Sequence, residues 1–270
     1  MSIYQFDHLV HFVDHPLNAM EQLRRIGLHV VEGGRHETYG TYNTLSYFDL
    51  SYIEIIGTFD KKLVEAAAGI EHSLRETFVN RNYAEGLTRV AIRTNDIEAD
   101  AKRFKENGLN VNGPLPLSRR RPDGKLITWR LLYVGTNHNT LELPFFIQWD
   151  DEDEDRKEEL IEQSVIAEHS NGNLAIDSIG FAVADLQQTV ETWTRYFDLE
   201  KGDSFIDDHL NASAQTLILK GGNLTFYSPL GEGKVKEVLN QHGEAPFTVD
   251  FSGANQKGQF HILGAQYRYI

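Results

Sequence analysis

Cysteine is absent from all 270 residues, so neither disulfides nor thiol chemistry takes part in the fold or the function. That absence fits a reducing cytoplasm, which is the expected location. Basic residues are in deficit: 26 Lys and Arg stand against 40 Asp and Glu, a net charge of −14. Such an excess of negative charge disfavours polyanions, so neither nucleic acid nor an anionic membrane is an expected partner. No apolar run reaches the ~18 residues of a membrane span. The opening MSIYQFDHLVHFV enters a strand pattern at once and lacks the basic and apolar stretches of a signal peptide. With 40% hydrophobic and 24% charged residues, the chain has the composition of an ordinary globular protein with ample core.

What is present is repetition. His8, Arg89 and Ser178 occupy equivalent places in three strand-like runs, Phe6-Asp7-His8-Leu9-Val10, Leu87-Thr88-Arg89-Val90-Ala91 and Ile176-Asp177-Ser178-Ile179-Gly180. Helix ends follow each at a similar distance, at Gly27-Leu28, Gly108-Leu109 and Asp198-Leu199. A later apolar strand is centred on Glu54, Glu142 or Thr225. Self-similarity of this kind marks one supersecondary unit copied and packed against its copies. Within each copy the pattern reads β-α-β-β-β. The reading is therefore an α+β fold of tandem βαβββ modules forming curved mixed sheets, three full modules plus a truncated fourth.

Modules one and two are expected to pair over residues 1–149, with a helical insertion at about 60–82. One curved four-stranded sheet leaves a face unburied, and pairing covers it. An acidic linker and helix span 150–174; the run Asp150 to Asp155 reads as a solvated linker into a helix over Arg156–Ala167. The third module and the truncated fourth fill 175–270. In that tail a helix over about Gly233–Gln241 and a strand over Phe247–Phe251 are expected. Its ending, Leu263-Gly264-Ala265, echoes Ile26-Gly27-Leu28. Asp14 is a plausible N-cap with Pro16 in the first helical turn, and Asn95 or Asp96 caps the second module's helix.

Alternate residues of a strand share a face. His8, Val10 and Phe12 point one way, and Asp7, Leu9 and His11 the other. Tyr52, Glu54 and Ile56 share a face, and Glu142 is placed likewise in module two. A carboxylate in the middle of a buried strand costs several kcal/mol unless it is paired or bound to a cation. Two of them with a histidine at a repeat-equivalent position point to a metal or proton-transfer site. His36, just after Gly33-Gly34, is a candidate acid/base group. Arg119, Arg120 and Arg121 form a possible anion clamp, and Arg121 is favoured because it abuts the rigid Pro122-Asp123-Gly124 turn. Asn43 and Trp129 are candidate lining residues. His11 reads as a satisfied core histidine and His138 as loop. Gly221-Gly222-Asn223 reads as a hairpin turn, not a phosphate loop.

Tandem βαβββ copies with His on a first strand and Glu on a last strand resemble the vicinal-oxygen-chelate superfamily, which includes glyoxalase I, extradiol dioxygenases and the bleomycin-binding proteins. More narrowly, Phe6-Asp7-His8-Leu9-Val10, Gly33-Gly34-Arg35-His36, Gly40-Thr41-Tyr42-Asn43, Tyr52-Ile53-Glu54-Ile55-Ile56, Trp129-Arg130 and Pro144-Phe145-Phe146-Ile147 resemble its glyoxalase-like domain branch. The resemblance implies an eight-stranded cup from modules one and two, with ligands on first and last strands. By position it makes His8, Glu54 and Glu142 metal ligands for a divalent ion (Zn, Fe, Mn or Ni), with no nucleotide cofactor. Arg89 departs from the pattern, standing where a second His or Gln is expected; a guanidinium cannot ligate a metal. Ser178 and Thr225 leave the third module without a metal site.

Three functions remain open. The first is a metal-dependent lyase, isomerase or dioxygenase acting on a small oxygenated molecule, with Glu54, Glu142 and His36 in catalytic roles and Arg89, Arg121, Asn43 and Trp129 holding substrate. The second is a metal-free protein that binds or sequesters a small, anionic ligand. The third is an interaction protein with a vestigial cup. An isologous homodimer is the default assembly.

Overall fold

The computed structural model describes residues 3–120, 124–136 and 141–270. Arg121 and His138 lie outside these described residues. Module one comprises β1 (Gln5–Phe12), α1 (Pro16–Arg25), β2 (Val31–His36), β3 (Thr41–Phe48) and β4 (Ser51–Thr58). Two inserted helices follow, α2 (Lys61–Ala67) and α3 (Leu74–Asn80). Module two is β5 (Gly86–Arg93), α4 (Ile97–Glu106), β6 (Asn110–Arg120), β7 (Leu126–Gly135) and β8 (Phe145–Trp149). Helix α5 (Asp153–Glu162) leads to module three: β9 (Gly172–Ala182), α6 (Leu186–Phe197), β10 (Glu200–Asp207), β11 (Ala212–Ile218) and β12 (Asn223–Pro229). Helix α7 (Lys234–His242) precedes β13 (Ala245–Ala254), β14 (Gly258–Ile262) and β15 (Ala265–Tyr269).

Two mixed sheets result. The first runs β2-β3-β4-β1-β5-β8-β7-β6 and the second β10-β11-β12-β9-β13-β15-β14. In each, the first and last strands of a module pair in parallel, and two modules join through their antiparallel first strands, β1 with β5 and β9 with β13. The fold is α+β and has the expected module order.

Local chemistry explains the elements. Pro16 opens α1, its fixed φ suiting the first turn; the position before it is His15, not Asp14, and it makes no side-chain cap bond. Asp60, Ser73, Asp96 and Asp185 each cap a helix by accepting a backbone N–H. Helix α5 starts inside the acidic run, where Asp153, Glu154 and Asp155 complement the positive end of the helix dipole. It ends at Glu162, ahead of Ser164 with its left-handed φ of 56°. It therefore begins and ends earlier than the sequence suggested.

The fourth module is truncated by loss of its helix and one strand. Helix α7 lies before its first strand, where α2 and α3 stand between modules one and two. Leu263 and Gly264, with φ of 46° and 79°, form the hairpin turn between β14 and β15; they do not end a helix.

One continuous core joins the outer faces of both sheets to α1, α4 and α6, with Phe104, Phe146, Trp193 and Phe197 among its ring contacts. Each such fully buried side chain contributes about 1.5–3 kcal/mol. His11 bridges the halves: Nδ1 lies 2.8 Å from the Tyr267 hydroxyl and Nε2 2.9 Å from the Leu263 carbonyl. Desolvation lowers its pKa to about 4, so the ring is neutral. The inner face of the first sheet is partly filled by α2 and α3, whose Val64, Leu74 and Phe78 pack on Val10, Phe12 and Ile56. Val235 and Val238 of α7 cover part of the second sheet's inner face in the same way. No helix among the described residues is long and apolar enough to cross a membrane.

Candidate active-site cup

The inner face of the first sheet keeps a cavity of about 70 Å³ beside the inserted helices. His8 and Glu54 both line it. His8, 4% exposed, stacks on Tyr52 at 4.6 Å and meets the edge of Phe145 at 5.4 Å. Its Nδ1 lies 2.7 Å from Asp7 Oδ1, and its Nε2 lies 3.8 Å from Glu54 Oε2. An ionised Asp7 fixes the tautomer with the proton on Nδ1, so Nε2 presents its lone pair to the cup.

Asp7 is fully buried. Trp149 Nε1 donates to its Oδ2 at 2.9 Å, with Arg93 Nη1 at 3.5 Å and Arg156 Nη2 at 3.8 Å. Burial alone would raise its pKa; the hydrogen bond from His8, with the charges of Arg156 and Arg93 added to it, outweighs this and holds it at about 2. Strand alternation puts Asp7 on the opposite face from His8. The pairing of β1 with β5 shifts register between Phe6 and His8, so Asp7 is the extra residue of a bulge and turns to its neighbour's ring.

Glu54 accepts a hydrogen bond from Asn43 Nδ2 at 2.5 Å, and Asn43 Oδ1 accepts from the Gly34 N–H at 2.9 Å. The glycine pair is required for this: a Cβ at Gly33 would collide with Asn43 Oδ1. His36 also lines the cup, with Nδ1 3.0 Å from Thr41 Oγ1. Desolvation, assisted by Arg75 and Arg119, outweighs the charge of Glu54 and lowers its pKa to about 4. It is a neutral ring in the cup wall.

Two arginines face this cavity. Arg75 of α3, 7% exposed, donates to the Tyr133 hydroxyl at 2.7 Å and lies 4.1 Å over the Tyr39 ring. Arg119 of β6 packs over Gly34. Among the described residues neither has a carboxylate within ion-pair distance. Trp129, buried, completes one wall beside Trp149.

Glu142 and Arg89 do not reach the cup. Pro144 forbids an earlier start to β8, which begins at Phe145. Ala91 then lies beside Phe145 as Val10 lies beside Glu54, so Phe145 holds the place expected of Glu142. Glu142 is exposed and accepts from Thr77 Oγ1 at 2.9 Å. Arg89 spends its guanidinium on the His72 and Leu143 carbonyls and Thr77 Oγ1. The expected triad of His8, Glu54 and Glu142 is therefore not assembled. Among the described residues no group of three or more His, Cys, Asp or Glu side chains is placed to hold a metal ion. At the four repeat-equivalent positions stand one imidazole, one carboxylate, Arg89 and Phe145; His36 in the wall is not grouped with them, and this donor set does not fit a resident metal.

Sequence reasoning missed Asp7, Arg75, Trp149 and Arg156. Arg75 comes from an inserted helix with no counterpart in module two. Arg156 comes from α5, whose acidic run read as solvated linker. It stacks 4.5 Å over Trp149 and screens Asp7 from behind.

A paired-module βαβββ cup with His and Glu on its first and last strands defines a vicinal-oxygen-chelate fold. The chain belongs to the glyoxalase-like domain family, whose model matches residues 6–197. A hypothetical protein from Staphylococcus aureus superposes with a TM-score of 0.80 at 24% identity, covering 99% of both chains. A mutant of 4-hydroxymandelate synthase from Streptomyces coelicolor gives 0.61 at 12% identity, covering 93% of this chain and 71% of that one. At these identities the likeness is one of fold. No curated protein matches the chain.

Proposed function

We propose that the cup binds a small oxygenated organic anion and that His8 moves a proton on it, as a metal-free isomerase or lyase does. The observation that carries this reading is Arg75: a guanidinium 7% exposed, without a carboxylate partner among the described residues, lining the same cavity as His8 and Glu54. A buried charge without an ionic partner is costly and is retained where a ligand supplies the missing one. With Arg119 beside it, the cup offers, among the described residues, two arginines against the single carboxylate of Glu54.

The steps follow from the geometry. Arg75 and Arg119 hold the ligand's carboxylate, Arg75 with the fork geometry that suits it. His8 Nε2, its lone pair directed inward by Asp7, takes a proton from the carbon next to a carbonyl. Negative charge developing on the carbonyl oxygen is stabilised by the arginines. The imidazolium exchanges its proton with solvent, and His8 then gives a proton back, to the same carbon or to the neighbouring atom, the latter completing an isomerisation. Glu54 stabilises the imidazolium while it lasts, and Asn43 fixes the Glu54 carboxylate. The apolar walls of Leu45, Ile56, Leu131 and Phe145 exclude water and limit the ligand to a few non-hydrogen atoms.

The competing reading is a binding protein without turnover, which the small, largely apolar cavity also suits. Calorimetry with pyruvate and 2-oxobutyrate, each beside its uncharged methyl ester, tests the shared premise. Wild-type protein should prefer the acids, and Arg75→Met should abolish the preference. Equal binding of acid and ester would refute an anion site.

A further inference from the structure

The second sheet curves around its own cavity, of about 950 Å³, and the modules that form it place different chemistry at the equivalent positions. Ser178 pairs with Asn223 and Gly180 with Thr225, as His8 pairs with Tyr52 and Val10 with Glu54. Ser178 thus stands where His8 stands, and Thr225 where Glu54 stands. We infer that this second cup is a binding site for an aromatic or apolar organic cation, a molecule carrying an amine, amidinium or guanidinium group, separate from the anion cup of modules one and two.

Three observations support it. First, four carboxylates line the cavity, Asp177, Asp203, Asp207 and Asp250, against one arginine, Arg268. Arg268 is already committed: its Nε donates to Asp250 Oδ1 at 2.6 Å and its Nη2 to Asp250 Oδ2. Asp177 and Asp203 have no cationic partner among the described residues. Desolvation and the charge of Asp250 raise the pKa of Asp177, so an arriving cation would relieve an existing repulsion.

Second, and independently of the acidic groups, Ser178 is 6% exposed and lines the cavity, yet its hydroxyl has no hydrogen-bond partner among the described residues. The residue is buried while its hydroxyl opens on the cavity, where it can both donate to and accept from a ligand. Third, the walls are aromatic: Phe205, 41% exposed, stands edge-on to Tyr227 at 6.3 Å, with Tyr269 nearby. Ring faces beside carboxylates suit a cation with an apolar body. In the first cup the inserted helices leave only a small cavity; here α7 leaves most of the sheet face open.

The test is a titration of the full chain, followed by amide NMR, with two cations, benzamidine and tyramine, beside their anionic counterparts benzoate and 4-hydroxyphenylacetate. The expected result is shifts at β9, β11 and β12 with the cations, and binding at least about tenfold tighter than with the paired anions. Asp177→Asn combined with Asp203→Asn should weaken cation binding about tenfold, since each removes a charge-assisted contact. Asp203 is exposed and Asp177 only partly buried, and Asn keeps the shape of both side chains, so this variant should keep its fold. Ser178→Leu should block the cup as well. Failure of both cations to bind more tightly than the anions overturns the proposal. So does binding insensitive to the Asp177/Asp203 substitutions, or a sedimentation result showing a dimer that buries this face.

Discussion

Asp7→Asn should cost several kcal/mol at neutral pH, and the cost should fade in acid. Asp7 is buried among His8, Arg93, Arg156 and Trp149. Its pKa falls from the ordinary 3.8 to about 2, which corresponds to about 2.5 kcal/mol of stability. Because the folded-state pKa is the lower one, that stability is fully present above pH ~4 and is lost as the pH falls through about 2. The substitution also strands Arg156, whose three guanidinium nitrogens are buried with no hydrogen-bond partner among the described residues. Removing one partner of a buried ion pair costs about 3–5 kcal/mol. Urea unfolding at pH 7 should therefore show Asp7→Asn weaker by about 3–5 kcal/mol. The gap should narrow steadily from pH 4 toward pH 2.5. A loss below about 1 kcal/mol, or one independent of pH, would refute the assignment of Asp7 as an ionised anchor under His8.

His11 should make the junction of the halves acid-labile. Its pKa falls from 6.5 to about 4, so the unfolded state binds more protons between those values and stability drops as the pH falls across that window. At pH 5 its share of the loss is about 2 kcal/mol, and thermal melts of His11→Gln should show a correspondingly smaller fall between pH 7 and pH 5. Arg75→Met should leave stability unchanged or raise it by about 1 kcal/mol, because it removes a buried cation that has no anionic partner among the described residues; a loss above about 2 kcal/mol in urea unfolding would make Arg75 structural. Gly33→Ala should displace Asn43 and cost about 1–3 kcal/mol, read by denaturant midpoint. An unchanged midpoint would show that the turn does not support Asn43.

Much of the architecture was legible because the repeat is written in apolar spacing. Nearly the same interval, 46 residues from His8 to Glu54 and 47 from Ser178 to Thr225, relates the two pairs, and the sheets keep one register for both. The site was legible only where one module supplied it alone. His8, Glu54, Asn43 and His36 all come from module one and converge as their strand faces dictate. Glu142 was misplaced because the longer interval in module two hides a loop before Pro144, and one proline resets which residue enters the strand. Asp7 was assigned to the wrong face because a bulge breaks alternation, and no local residue pattern announces it. Arg75 and Arg156 lie on helices outside the repeat, so their arrival at the cup depends on packing that spacing does not encode.

The central claim, that His8 is a proton-moving base in a metal-free anion cup, is tested most directly by deuterium exchange at C3 of 2-oxobutyrate in D2O, followed by proton NMR in the presence of a chelator. The account predicts exchange well above the buffer rate with wild-type protein, and exchange at the buffer rate with His8→Ala even though that variant still binds the acid. Exchange that survives His8→Ala, or a wild-type protein that binds 2-oxobutyrate without exchanging it, would contradict the catalytic role of His8.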